Sequence, residues 1–373
     1  MLEVCDQCGT PLFVANGLKW GDNGTITLAS SPKNRMVFFE SELIDHLFAG
    51  IGELLGIPLG HLVIESRARE TKRYIERLFP PEIRQAMAFK TMSGKDGAAV
   101  TAVETETQLA AIKGIAQTII DISRVYGYGD QRPSDLWDSG GKYAWRTQVI
   151  RNPYSLLFIA GDNVGSVEVF EESEMRVNYE EIEKDAYKIE VFPGKHSIAL
   201  KERLQRKFYD FKPGEITYEQ CPQCAVPLEV ANRKWNCVDG TYTDPETGRR
   251  MAIFGPAAFD AVLVDLEYEL GEIIPQAIID AQRKYLKEAW SGEWWNRSSM
   301  TFQHMLAIRG LGEMVTFDGD KTHLTLNIQN ACLPLPMIGT VQALVEMAYR
   351  TDNSTCEWEF KDDGDLNITV TVD

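Results

Sequence analysis

The stretch CDQCGTPLFVANGLKW (residues 5–20) returns 216 positions later as CPQCAVPLEVANRKW (residues 221–235). Cys5, Gln7, Cys8, Pro11, Leu12, Val14, Ala15 and Asn16 match Cys221, Gln223, Cys224, Pro227, Leu228, Val230, Ala231 and Asn232. After a one-residue slip, Lys19 and Trp20 match Lys234 and Trp235. Fainter agreement continues through Arg35-Met36 with Arg250-Met251, then Phe39, Asp45 and Gly56 with Phe254, Asp260 and Gly271. Towards the end of each half, Asn152, Gly161 and Glu168 fall where Asn330, Gly339 and Glu346 do. A period this long is that of a whole domain and not of a solenoid unit. The reading is two copies, 1–215 and 216–373. The first is the longer, with its extra length between about 80 and 145.

Each repeated stretch holds half of a metal site. A CxxC turn presents two thiolates to one side of an ion, and tetrahedral zinc takes four such ligands. Two copies meeting about a pseudo-twofold axis bring equivalent residues together. The expectation is one structural zinc shared by Cys5, Cys8, Cys221 and Cys224. The competing readings are a redox dithiol or two separate partial sites. Redox CxxC motifs usually open a helix, whereas these are expected to lead into strands containing Pro11 or Pro227. Cys237, near the second pair, is a candidate substitute ligand or a small core residue.

Bulk properties narrow the function. Of 373 residues, 44% are hydrophobic and 25% charged, a globular balance that allows a substantial core without metal. The net charge of -17 disfavours nucleic acid as the main partner, because phosphate binding needs a basic surface. The local basic run RARETKRYIER (67–77) reads as a solvated helix face. No apolar run reaches the ~18–20 residues that span a bilayer. The N-terminus carries two cysteines and Asp6 where a signal peptide needs an apolar stretch, so a cytoplasmic location is expected.

The predicted class is α+β. Each copy is an antiparallel sheet packed with helices, preceded by a CxxC β-knuckle, and the copies pack as a pseudo-dimer. The segments PLFVAN and PLEVAN read as strand, and RMVFF and RMAIF as the strand before the first long helix. That helix starts at Ser41, read as its N-cap, in the first copy and near Pro256 in the second. A second helix covers LGHLVIESRARETKRYIERLF or PQAIIDAQRKYLKEAW. The first copy adds SGKDG and a helix ETQLAAIKGIAQTIIDISRVYG. Both copies then alternate as strands (RTQVIRNPY, THLTLNIQN). A short segment from Gly161 or Gly339 leads into a closing hairpin, MRVNYEEI with DAYKIEV or STCEWEF with LNITVTV. The stretch 193–220, with a charged helix, links the copies.

This layout resembles the vinyl-4-reductase domain, itself related in fold to the trafficking-particle (TRAPP) subunits. The resemblance rests on the strand ending at Asn152 or Asn330, on Gly161 and Gly339, and on the closing hairpins. It implies helices packed on an antiparallel sheet around an apolar pocket. It also implies a sensor of phenols or other small hydrophobic molecules, or an accessory protein of bacteriochlorophyll synthesis. The phenol-sensing members carry zinc on cysteines and a glutamate in and before the closing hairpin. Here the first hairpin has no cysteine, and the second half offers Cys332, Glu346 and Cys356 at a different spacing. The CxxC knuckles are additions to that layout.

Two further constellations bear on ligands. The segment RVYGYGDQRPSDLWDSGGKYAWR (124–146) crowds aromatics among glycines. Such a segment closes a pocket or forms a satellite apolar cluster. Read as a lid, it makes Tyr126, Tyr128, Trp137, Tyr143 and Trp145 pocket residues, with Arg124 or Arg146 for a polar end of the ligand. The pocket is expected between the helix at 41–56, the helix at 107–126 and the strand at 147–152. The stretch EAWSGEWWNR (288–297) poses the same choice. A tetrapyrrole would need an axial ligand; His46 and His61 are the candidates, but Ala261 and Gln276 replace them in the second copy. No nucleophile elbow, phosphate loop, dinucleotide fingerprint or HExxH helix occurs, and no carboxylate pair has a spacing that demands acid–base chemistry. The leading expectation is a non-enzymatic, zinc-containing binding protein for a small hydrophobic ligand, with a protein partner to pass the signal on. The alternatives are an enzyme or accessory of aromatic or tetrapyrrole metabolism, and a structural adaptor.

Overall fold

The computed structural model describes residues 3–82, 84, 110, 114, 117–133, 146–202, 209–245, 247–290 and 301–372. The architecture is α+β, with antiparallel sheets packed by helices. The chain divides into two compact units. One comprises Met1–Leu59, Lys201–Asn236 and Tyr242–Asp373; the other comprises Gly60–Leu200 and Cys237–Thr241.

The first unit is built around strand β3 (Ser31–Glu40), which carries β1 (Leu18–Trp20) and β2 (Ile26–Leu28) on one side. On its other side it pairs with β10 (Arg250–Phe254), which continues to β9 (Thr241–Thr243) and β8 (Lys234–Asn236). Met36 to Glu40 and Met251 to Phe254 are buried without alternation, as expected of central strands covered on both faces. Helices α2 (Ser41–Leu55) and α6 (Pro256–Leu270) follow β3 and β10 directly. Leu43, Ile44, Leu47, Phe48 and Ile51 form the buried stripe of α2. Gly56 ends it in the left-handed region (φ 70°), where a Cβ would strain the turn. Helix α2 packs on α7 (Ile274–Ala289), and α7 on α9 (Pro334–Tyr349). Helix α9 backs the sheet β11 (Glu313–Gly319), β12 (His323–Gln329), β14 (Leu366–Val372), β13 (Ser354–Phe360), given in spatial order. The short helix α8 (Phe302–Ile308) leads into β11 and packs on it.

The second unit repeats the arrangement of α7, α9 and their sheet. Helices α3 (Gly60–Leu78) and α4 (Leu156–Glu171) pack together, and α4 backs a sheet. Its spatial order is β4 (Asp130–Pro133), β5 (Thr147–Arg151), β7 (Ala186–Pro193), β6 (Met175–Glu183). The two four-stranded sheets therefore share one strand order. The helix pairs also match residue by residue. A Cβ on Gly161 would stand 2.7 Å from Arg67 Cβ and 2.8 Å from the Ile64 carbonyl. On Gly339 it would stand 2.8 Å from Gln282 Cβ and 2.5 Å from the Ile279 carbonyl. Those glycines are required by backbone approach. Lys72 pairs with the buried Glu168 at 3.2 Å, and Lys287 with the buried Glu346 at 2.7 Å.

Several expectations need correction. PLFVAN and PLEVAN are not strands: each holds a short helix, α1 (Leu12–Gly17) and α5 (Leu228–Ala231), after an isolated bridge at its proline. The proline dihedrals (φ -54° and -52°) set the chain up to enter a helix. Ser41 is not the cap of α2; Glu40 holds that position and makes no side-chain cap bond. The short segments from Gly161 and Gly339 are the long helices α4 and α9. Both are buried nearly all round, so no polar face marks a period, and their interior glycines read as breakers. Strands β4 and β11 were not anticipated. The SGKDG loop, eight residues at the start of the 107–126 helix and residues 203–208 of the charged linker lie outside the described residues, and 117–125 are helical.

Candidate metal centre

Each knuckle is a tight turn held by two backbone bonds. Cys5 N donates to Thr10 O (2.9 Å) and Gly9 N to Cys5 O (2.8 Å). In the second, Cys221 N donates to Val226 O (2.9 Å) and Ala225 N to Cys221 O (2.8 Å). The turns need a positive φ at Gly9 (73°) and Ala225 (59°). Both knuckles belong to the first unit.

The four thiols converge. Cys5 Sγ lies 3.9 Å from Cys221 Sγ, and Cys8 Sγ 3.5 Å from Cys224 Sγ. All four sulfurs lie within 4.8 Å of one another. A metal–sulfur distance of ~2.3 Å in tetrahedral geometry implies sulfurs ~3.8 Å apart, so the cluster has the dimensions of a four-thiolate site. Cys5 and Cys221 are buried, while Cys8 and Cys224 are half-buried. All are free thiols. The backbone N–H groups of Cys224 and Gln223 pull the Cys221 thiol down to about 7, so a thiolate forms readily there. Burial pushes the Cys224 thiol up to about 12, and an ion is what would deprotonate it at neutral pH. Cys8 Sγ donates to Thr10 Oγ1 at 3.3 Å, which orients that side chain. Cys237 is not one of the four, and burial raises its thiol.

Of the residues expected to line a ligand pocket, four are among the described residues. Tyr126 is buried and its hydroxyl is pushed up to about 12 by burial; Tyr128 is raised for the same reason. Tyr128 stacks on Tyr154 with centroids 4.3 Å apart, and Tyr154 meets Phe158 edge-on. These rings behave as a packed aromatic cluster. Arg124 Nε donates to Asp130 Oδ1 at 2.9 Å, and buried Arg146 pairs with buried Glu171. Both cations are thus held by protein carboxylates. Trp137, Tyr143 and Trp145 lie outside the described residues, as does most of the tryptophan-rich 288–297 stretch. The helix at 41–56 and the strand at 147–152 fall in different compact units. In the first unit, a cavity of about 30 Å3 lies beside Glu40, Leu286, Trp290 and Arg309. Cavities that admit benzene are ~150 Å3, so this one suits water or a small ion. His46 and His61 are exposed, and His46 Nδ1 lies 2.7 Å from the Glu42 carbonyl. Glu346 is engaged by Lys287, Arg283 and Ser354; among the described residues no metal cluster includes it, Cys332 or Cys356.

The sequence reading missed two polar clusters in the second unit. His196 bridges two buried carboxylates, with Nδ1 on Glu65 and Nε2 2.6 Å from Glu168 Oε1. Those hydrogen bonds raise the imidazole to about 10, Glu168 contributing first. The other is an amide trio: Gln131 Nε2 donates to Gln148 Oε1 and stands 3.3 Å from Asn163 Oδ1. Asn163 Nδ2 is buried with no hydrogen-bond partner. The matching positions in the second half are Met314, Leu326 and Val341. The signal was present in the sequence, but only once β4 is paired with β11.

The chain matches no protein-family model, no curated protein and no solved structure.

Proposed function

We propose that the chain is a zinc-stapled binding protein made of two vinyl-4-reductase-like copies whose knuckles and central strands are related by a pseudo-dyad. The convergence of four thiols from two distant CxxC turns carries this reading. The dyad is supported by the register of β3 on β10. Phe38 faces Ile253, its own counterpart, while Val37 faces Phe254 and Phe39 faces Ala252. A self-complementary contact of this kind is what an isologous interface produces. Cys5 likewise faces Cys221, and Cys8 faces Cys224. Gly24-Thr25 aligns with Gly240-Thr241, and their contacts also exchange: Gly24 O accepts from Gly312 N at 3.0 Å, and Gly240 O from Gly129 N at 2.8 Å. Zinc fits the all-thiolate donor set and would be structural, since four protein ligands leave no open position. Elemental analysis and native mass spectrometry should find one zinc per chain. None, or two, would sink the shared site.

The amide trio supports placing the ligand function in the first copy. Buried amides cost stability unless they are paired, and the second copy fills the same space with apolar side chains. A small aromatic molecule with one polar group is the class that a buried amide would recognise. Thermal shift against phenols, fatty acids and porphyrins tests this. The triple variant Gln131→Met, Gln148→Leu, Asn163→Val should abolish any shift while keeping zinc. If no compound shifts the wild type, the chain is a structural adaptor.

A further inference from the structure

We infer that the first unit holds a small monovalent anion, of chloride or formate size, beside the buried guanidinium groups of Arg233 and Arg309. Both residues, with Glu40 and Tyr242, are at least nine-tenths buried. Glu40 is already committed: it accepts from Arg249 Nη1 at 3.1 Å, Arg309 Nη1 at 3.4 Å and Trp290 Nε1 at 3.4 Å. Asp244 Oδ2 stands 3.7 Å from Arg233 Nη1, an ion pair too long to be a hydrogen bond.

What remains is a set of donors with no acceptor. Arg233 Nε and Nη1, Arg309 Nε, the Tyr242 hydroxyl and Trp235 Nε1 are buried and unpartnered. The groups belong to one cluster around Phe38. The Arg233 guanidinium lies 5.5 Å from the Phe38 ring centre, the Tyr242 ring 5.8 Å from it, and Trp235 stacks on Tyr242 at 4.7 Å. Phe38 N donates to Arg309 O at 2.9 Å. Arg233, Arg249 and Arg309 gather here around Glu40 and Asp244 in a region shielded from solvent. Burial holds Arg233 below its ordinary value, and Arg309 adds to that effect. A buried charge without a counter-charge is costly, and so is an unmet buried donor. One monovalent acceptor answers both. A cavity of about 30 Å3 borders the cluster at its Arg309 and Glu40 end, without reaching Arg233, Tyr242 or Trp235; it is the size of one small ion and too small for a drug-sized ligand. Two of the donors are specific to one side: the positions matching Arg309 and Tyr242 in the first half are Tyr126 and Ile26.

The test uses the zinc-loaded, full-length protein. Chloride is exchanged for gluconate at constant ionic strength and the melting temperature is followed. Raising chloride to a hundredfold above its dissociation constant should lift Tm by about 3–8 °C, and formate should act similarly. Arg233→Met should remove that dependence. Because this variant could fail to fold, crystals of the wild type soaked in bromide provide an independent reading. An anomalous peak against Arg233 and Arg309 is expected. A flat chloride response, or bromide absent from this cluster, would show that water alone fills it and would overturn the inference.

Discussion

If one ion is shared by two equivalent half-sites, Cys5→Ser and Cys221→Ser should damage it equally. Each replaces one of two buried sulfurs that face each other at 3.9 Å. Structural zinc contributes ~10–16 kcal/mol of apparent binding energy through four ligands, or roughly 3 kcal/mol per thiolate. Losing one thiolate should therefore weaken zinc by about a hundredfold, since ~1.4 kcal/mol is a factor of ten. A serine hydroxyl recovers little, because it stays protonated at neutral pH. The assay is competition against a chromogenic chelator, run on both variants and on the Cys5→Ser/Cys221→Ser double variant. The two single variants should agree within a factor of about three, and Tm should fall in parallel, because metal affinity is coupled to the folded arrangement. A Cys5→Ser protein that keeps full zinc affinity while Cys221→Ser loses it would show that the second knuckle binds metal without the first. The shared site would then be wrong.

His196 should make stability fall in alkali. Its folded value, about 10, lies above the ordinary 6.5. The contribution is complete below about pH 6.5 and is lost as pH rises through about 10. Urea titrations should show about 2 kcal/mol more loss across that window in wild type than in His196→Gln, after allowing for solvent screening of a side chain that is 28% exposed. Burial pushes Glu168 up, but the bonds from His196 and the Met175 N–H together with the His196 and Lys72 charges lower it overall, so its own contribution is present above about pH 4.5 and is lost in acid. Gly161→Ala should destabilise by about 1–3 kcal/mol despite alanine's better helix propensity, because its Cβ would meet Arg67 and Ile64 at 2.7–2.8 Å. Thermal denaturation measures it, and an unchanged or raised Tm would refute the close-packing account.

The convergence of the four thiols was legible because its information is local and chemical. Two thiols in a turn have one common use, and the repeat marks the partner. Helices α2, α6, α3 and α7 were legible because one face of each meets water. Helices α4 and α9 were not, because the same burial that makes them central removes the polar face that would reveal them. Gly161 and Gly339 pointed the wrong way for a physical reason. A glycine that breaks an isolated helix is, between two packed helices, the residue that lets the backbones touch. The knuckle helices failed as strand predictions because their length, six and four residues, is shorter than any period can resolve.

The side-chain pairs across the two helix interfaces agree at some aligned positions and differ at others. The Lys72–Glu168 and Lys287–Glu346 bridges occupy equivalent positions and are kept as ions. One turn away, the Arg67–Asp162 ion pair at 2.7 Å is replaced by Gln282 donating to Thr340 at 3.1 Å. Geometry is retained there while charge is lost, so that contact needs only a hydrogen bond. Deeper in, Gln131, Gln148 and Asn163 give way to Met314, Leu326 and Val341, and polarity itself is abandoned. The positions through which α3 meets α4 and α7 meets α9 are thus common to both halves, and one ion pair with them. The polar groups that could recognise a ligand belong to one. In the first unit the same reasoning separates Arg309 and Tyr242 from Tyr126 and Ile26. Asn163 in one unit, and Arg309 and Tyr242 in the other, are buried donors without a partner at positions where the halves differ, and a bound molecule there would supply the missing partner.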